Sequence, residues 1–107
     1  MRSPCSERPP CRKSRPGYPD GVIAIYDNKG ATCDRYTVVY TPFRSDDAWH
    51  YPTKNMSADP FHPLGVGMYG EYSFRPTRMK GERVIDWSEL PALCQKAVLE
   101  DLEVTDA

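Results

Sequence analysis

Three glycines in six residues, Gly65-x-Gly67-x-x-Gly70, are the first feature of this sequence whose spacing could do chemistry. They match G-x-G-x-x-G, a turn in which backbone hugs a pyrophosphate lying on a helix N-terminus. That chemistry needs a strand entering the motif and a helix leaving it. The chain enters through Asp59-Pro60-Phe61-His62-Pro63-Leu64, and Pro60 and Pro63 do not suit a central parallel strand. It leaves through Glu71-Tyr-Ser-Phe-Arg-Pro76, where the proline would interrupt a helix. A chain of 107 residues with one late helix also has no room for the βαβ unit. No dinucleotide is expected, and no other cofactor. The glycines read instead as places where the backbone takes positive φ or a neighbour comes close. A glycine loop can also cradle an anion with successive N–H groups, but nothing in the sequence selects that option.

The remaining chemistry-bearing residues are sparse. His50 and His62 are the two histidines, and the four cysteines are Cys5, Cys11, Cys33 and Cys94. With Asp46, Asp47, Asp59 and Glu71 they could in principle ligate a metal, yet no pair has the short regular spacing of a zinc site. No C-x-x-C occurs, so redox-motif and zinc-knuckle readings lack their basic unit. Cys94 falls on an apolar helical stripe and reads as a small core residue. Glu71, His62 and Cys94 are the candidates for an enzyme, but no arrangement fixes a nucleophile, a base and an orienting group together. No catalytic residue and no metal ligand is assigned.

Aromatic residues give a stronger signal. Trp49, Tyr51, Phe61, Tyr69, Tyr72 and Phe74 crowd into residues 49–74, with Arg44, Lys54, Arg75 and Arg78 nearby. Trp, Tyr and Arg supply most interface energy, so the expected binding surface is Trp49, Tyr51, Phe61, His62, Tyr69, Glu71 and Tyr72. Aromatics interleaved with cations also suit single-stranded nucleic acid. The bland alternative is a mini-core beneath a long loop, since a small domain needs every aromatic it has.

These residues must be positioned by a small number of elements. Val22, Ile23, Ile25 and Tyr26, then Tyr36 to Tyr40, are strand formers, and Asp27-Asn28-Lys29-Gly30 supplies turn chemistry between them. This predicts an antiparallel hairpin ended by Pro42. From Phe43 to about Pro63, prolines and turn residues break every period and predict an irregular, partly apolar loop. A strand is expected around Met68 to Phe74 and a short one in "ERVIDW". "SELPALCQKAVLEDLE" predicts a helix with Ser88 as N-cap and Pro91 in the first turn. Leu90, Leu93, Cys94, Ala97, Val98 and Leu102 recur at i, i+3, i+4 and form its apolar stripe. The expected fold is α+β: a small antiparallel sheet, hairpin plus one or two short strands, packed against one C-terminal helix.

Composition bounds the rest. Residues 1–19 alternate proline with charge and read as a disordered basic tail, leaving 20–104 as one α+β domain. Residues 1–20 carry a local charge of +3 and the remainder −4, neither strong enough to mark a nucleic-acid protein or an acidic mimic. The start has charges but no apolar stretch of a signal peptide, and no segment could span a membrane. The expectation is a cytoplasmic protein with reduced thiols. Residues 1–19 could also be an extension upstream of the true start.

Three blocks of the sequence carry a resemblance. "DNKGATCDRYTVVYTP", "MSADPFHPLGVGMYGE" and "GERVIDWSELPALCQKAVLEDL" resemble a group of short uncharacterised proteins encoded by phages, plasmids and metagenomic sequences. The resemblance covers residues 21–102, with "PFHPLGVGMYGE" its most specific part. Lys29 replaces a glycine of the group's pattern, and Met68-Tyr69 stands where that pattern has Gln-His. The resemblance implies a mobile-element origin and little else. Together these readings predict a small accessory protein that binds a host or phage protein, one version being an inhibitor of a host defence system. Single-stranded nucleic acid is the alternative partner, and a small enzyme ranks last.

Overall fold

The computed structural model describes residues 17–106. The elements are β1 (Val22–Asp27), β2 (Tyr36–Tyr40), β3 (Phe43–Ser45), β4 (Ala48–Met56), β5 (Gly67–Tyr72), β6 (Arg83–Val84), a 3-10 turn (Trp87–Glu89) and α1 (Ala92–Asp106). All strand pairs are antiparallel. The fold is α+β, as the sequence predicts, with more strands than expected. The disordered tail assigned to residues 1–19 lies outside the described residues as far as residue 16. Tyr18, at its end, belongs to the core and donates a 2.6 Å hydrogen bond to the Ile85 carbonyl.

The predicted hairpin is β1–β2, with pairing from Val22↔Tyr40 to Asp27↔Tyr36 and one irregularity between Val22 and Ala24. Its turn places Lys29 at φ 63° and Gly30 at φ 86°, the left-handed backbone that the glycine favours. The stretch from Phe43 is not irregular. It forms a second hairpin, in which β2 and then β3 pair with the nine-residue β4. The two-residue connection is Asp46-Asp47 at φ 53° and 62°, the double positive φ of a type I′ turn. Pro52 is tolerated because the ladder already breaks there, between Thr53↔Val39 and His50↔Phe43. β5 pairs with the other edge of β4, from Tyr51↔Tyr72 to Met56↔Gly67. β6 pairs with β1 at the opposite end of the sheet.

The chain closes with the helix. Asp86 and Glu89 form a capping box on the 3-10 turn, so the expected N-cap Ser88 lies inside that turn. Leu90 is extended, and α1 starts at Ala92 with the Pro91 carbonyl accepting from Gln95 N–H at 2.9 Å. Leu90, Cys94, Ala97 and Val98 are buried with Val22, Ile25, Tyr36, Val38, Tyr40 and Met56. Leu102 packs partly on this core, whereas Leu93 is exposed, a correction to the predicted stripe. Asp101, which falls on the same side of the helix, accepts from the Tyr40 hydroxyl at 2.7 Å and pairs with Lys54 at 3.2 Å. The end of the stripe is therefore polar but still docked on the sheet.

Candidate binding site

The pleat divides the aromatic cluster between two faces. Tyr69 stacks on Tyr40 with ring centroids 6.4 Å apart and pairs across the ladder with Lys54, so it lies on the helix-covered face. Glu71, two residues on, shares that face, and its carboxylate lies 3.7 Å from His50 Nδ1. Tyr51 and Tyr72 are directly paired and point to the opposite face, with Tyr72 packing on Phe74 at 5.4 Å. Trp49 sits in the β3–β4 hairpin beneath the Arg44 guanidinium, 5.9 Å from its centroid. Phe61 lies against Lys96 of the helix at 5.2 Å. His62 is exposed and accepts from Leu64 N–H at 3.0 Å through Nδ1. The expected surface of seven residues is thus not one surface. The loop expected to gather it is mostly strand, and alternation along β4 and β5 sends neighbouring side chains apart.

What forms instead is a cleft on the face away from α1. Residues 73–82 leave β5 and cross that face to reach β6, making a strap. One bond from the sheet to the strap runs from the Tyr26 hydroxyl to the Pro76 carbonyl at 3.3 Å. Gly81 at φ 88° closes its last turn, where Met79 N–H and Arg78 donate to Glu82. Between strap and sheet lies a space of about 370 Å³. Its floor is Tyr26, Thr37 and Asn55, from three strands, with Thr37 Oγ1 donating to Asn55 Oδ1 at 3.0 Å. Tyr72, Phe74, Pro76 and Met79 form apolar walls, and Asp34, Arg75 and Glu82 bring charge to the rim. The volume suits one or two side chains of a ligand, at the lower end of small-molecule pockets. Of the expected binding residues, Tyr72 alone lines it. Sequence reading missed Tyr26, Thr37 and Asn55 because a strap that crosses a sheet leaves no periodic signal.

The glycines resolve in the same way. A Cβ on Gly65 would collide with the Asp59 carbonyl oxygen, and one on Gly67 would sit 3.2 Å from Pro60 Cβ. Both allow the Asp59–Val66 loop to close on itself, as the Gly65 N–H to His62 carbonyl bond at 2.8 Å shows. Gly70 faces open space. The motif lies in a loop and an edge strand, and no helix begins within it.

The three residues considered for catalysis are not joined by any hydrogen bond or ion pair among the described residues. Cys94 is fully buried, its Sγ lies 3.2 Å from the Ser57 carbonyl, and burial pushes its thiol pKa up to about 11. It is a protonated donor at neutral pH rather than a thiolate. Among the described residues no group of three or more His, Cys, Asp or Glu side chains is placed to hold a metal ion. No described helix is long and apolar enough to cross a membrane. Comparison with family models, curated proteins and solved structures finds no match to this chain.

Proposed function

We propose that this protein works by binding another polypeptide, and that the strap cleft takes an apolar side chain of that partner. The observation that carries this reading is the cleft itself: aromatic walls from Tyr72 and Phe74 over a polar Thr37–Asn55 floor. Such a mixture buries an apolar group while a few polar atoms fix its orientation. A mobile-element origin, with a host or phage protein as partner and inhibition of a defence system as one version, fits a small accessory protein of this kind. Nucleic acid has less support, because Asp34 and Glu82 share the cleft rim with Arg75 and repel phosphate.

The test is site-specific capture. A photoreactive benzophenone residue replaces Phe74, which is 62% exposed, and the protein is irradiated in host lysate with and without nuclease. A protein adduct that survives nuclease and is lost with Tyr72→Ala supports the reading. With the captured protein purified, Phe74→Ala weakens binding by roughly tenfold or more, as expected of a truncated aromatic anchor. Adducts unaffected by Tyr72→Ala refute it. Nucleic acid alone, released by salt, puts the alternative partner first.

A further inference from the structure

The two ends of the sheet are treated differently. One ends in β6, two residues long and carrying Arg83, a short charged strand of the kind that blunts an edge. The other ends in β5, six residues long, every one of them exposed. Among the described residues its backbone pairs only with β4. It contains no proline and no lysine, and it displays Met68, Tyr69 and Tyr72 at 57%, 54% and 37% exposure. Such a strand is a template for another strand.

The strand also fits itself. In two-fold antiparallel pairing, opposed residues either both aim their N–H and C=O groups at the shared edge or both aim them away, so the axis must pass through a single residue. An axis at Glu71 would oppose two carboxylates, which is unfavourable. An axis at Tyr69 sets Met68 against Gly70 and leaves Tyr72 without an opposite in the strand. An axis at Gly70 sets Met68 against Tyr72 of the second copy, twice, on the cleft face. It also sets the Tyr69 hydroxyl against Glu71 of the second copy on the helix face. Gly70 then lies at the axis, a position where nothing inside the chain requires a glycine. Glycine within a strand often marks close approach of another backbone.

We propose that the protein forms a two-fold dimer through β5, centred on Gly70, which makes one continuous sheet of the two copies. Both clefts then face the same side. The proposal stands apart from the cleft reading, since its test uses purified protein and no partner. The contact is small, so self-association is weak and concentration-dependent.

The experiment is cross-linking by oxidation in a Cys5→Ser/Cys11→Ser/Cys33→Ser background, followed by sedimentation equilibrium. Gly70→Cys places two thiols on residues whose Cα atoms lie about 4.5–5.5 Å apart, within disulfide reach. Met68→Cys leaves its own copy about 13 Å away along the strand. The expected result is a cross-linked dimer for Gly70→Cys, little for Met68→Cys, and a dimer population in the uncross-linked protein that Met68→Lys removes. Equal cross-linking of both cysteines, or of neither, overturns the proposal. So does a single monomeric species at every concentration up to about millimolar, the weak limit of a specific contact.

Discussion

Replacing Asp27 by asparagine should cost more stability than any other single charge removal among the described residues. Asp27 is 2% exposed, at the end of β1. Its carboxylate accepts from Arg35 Nε at 2.7 Å, from an Arg35 terminal nitrogen at 3.2 Å and from Lys29 N–H at 2.7 Å. Arg83 of β6 lies 3.8 Å away and also reaches Glu89 of the 3-10 turn at 3.1 Å. One carboxylate therefore ties the first turn, β6 and the entry to the helix together. Each charge-assisted bond contributes roughly 1.5–3 kcal/mol. The total is smaller than the sum, because Arg35 and Arg83 are 41% and 51% exposed and return to water, and the amide still accepts from Lys29. A loss of about 2–3 kcal/mol remains. For a domain of this size that lowers Tm by roughly 10–20 °C. The Arg35 guanidinium holds the Asp27 pKa below its ordinary 3.8. A depressed carboxylate stabilises the fold above its unfolded pKa and ceases to do so as pH falls through the native one. Urea unfolding of both proteins at pH 7 and at low pH reads this directly. The gap should be full at pH 7 and should narrow below about pH 4. A gap under about 0.5 kcal/mol at pH 7, the ordinary range of surface changes, would refute the reasoning. So would one that does not narrow in acid.

Two further outcomes follow from the packing. Gly65→Ala forces its Cβ onto the Asp59 carbonyl and should lower Tm clearly, whereas Gly70→Ala, facing open space, should move it little. Thermal scans of the two variants decide between loop closure and a nucleotide role, in which both glycines would matter only with ligand present. In a Cys5→Ser/Cys11→Ser background, a thiol reagent at neutral pH should label exposed Cys33 at once, and buried Cys94 only at the rate of unfolding. Fast labelling of both, followed by mass spectrometry, would show that the loop over Cys94 opens in the native state.

Local signals carried much of this fold. The first hairpin was legible because strand formers flank an Asn-Lys-Gly turn, and the helix because its stripe has the right period. Asp46-Asp47 was not legible as a hairpin turn. It lacks the glycine that normally marks two positive φ values, and Pro52 hid the strand behind it. The capping box displaced the expected N-cap because Leu90 and Pro91 interrupt what the sequence offers as one continuous helix. The site was less legible still. Counting aromatics gave Tyr72 its place, but which face each ring takes depends on register, and register depends on the unread β4. The cleft floor draws one residue from each of three strands, a juxtaposition that only tertiary pairing creates.

The crossing of the strap also orders assembly in time. β2 pairs with β1, β4 folds back on β3 and β2, and β5 pairs with β4, so this part can zip up from near-neighbour contacts as it is synthesised. β6 and α1 come last and close over long intervals, Tyr26 waiting for Val84 and Val22 for the helix. A nascent chain that ends at Tyr72 is a meander with its helix-side core bare and an unguarded edge already formed. Until β6 and α1 have left the ribosome, that bare face and open edge are the kind of surface that aggregates, and slow translation there would call on chaperones.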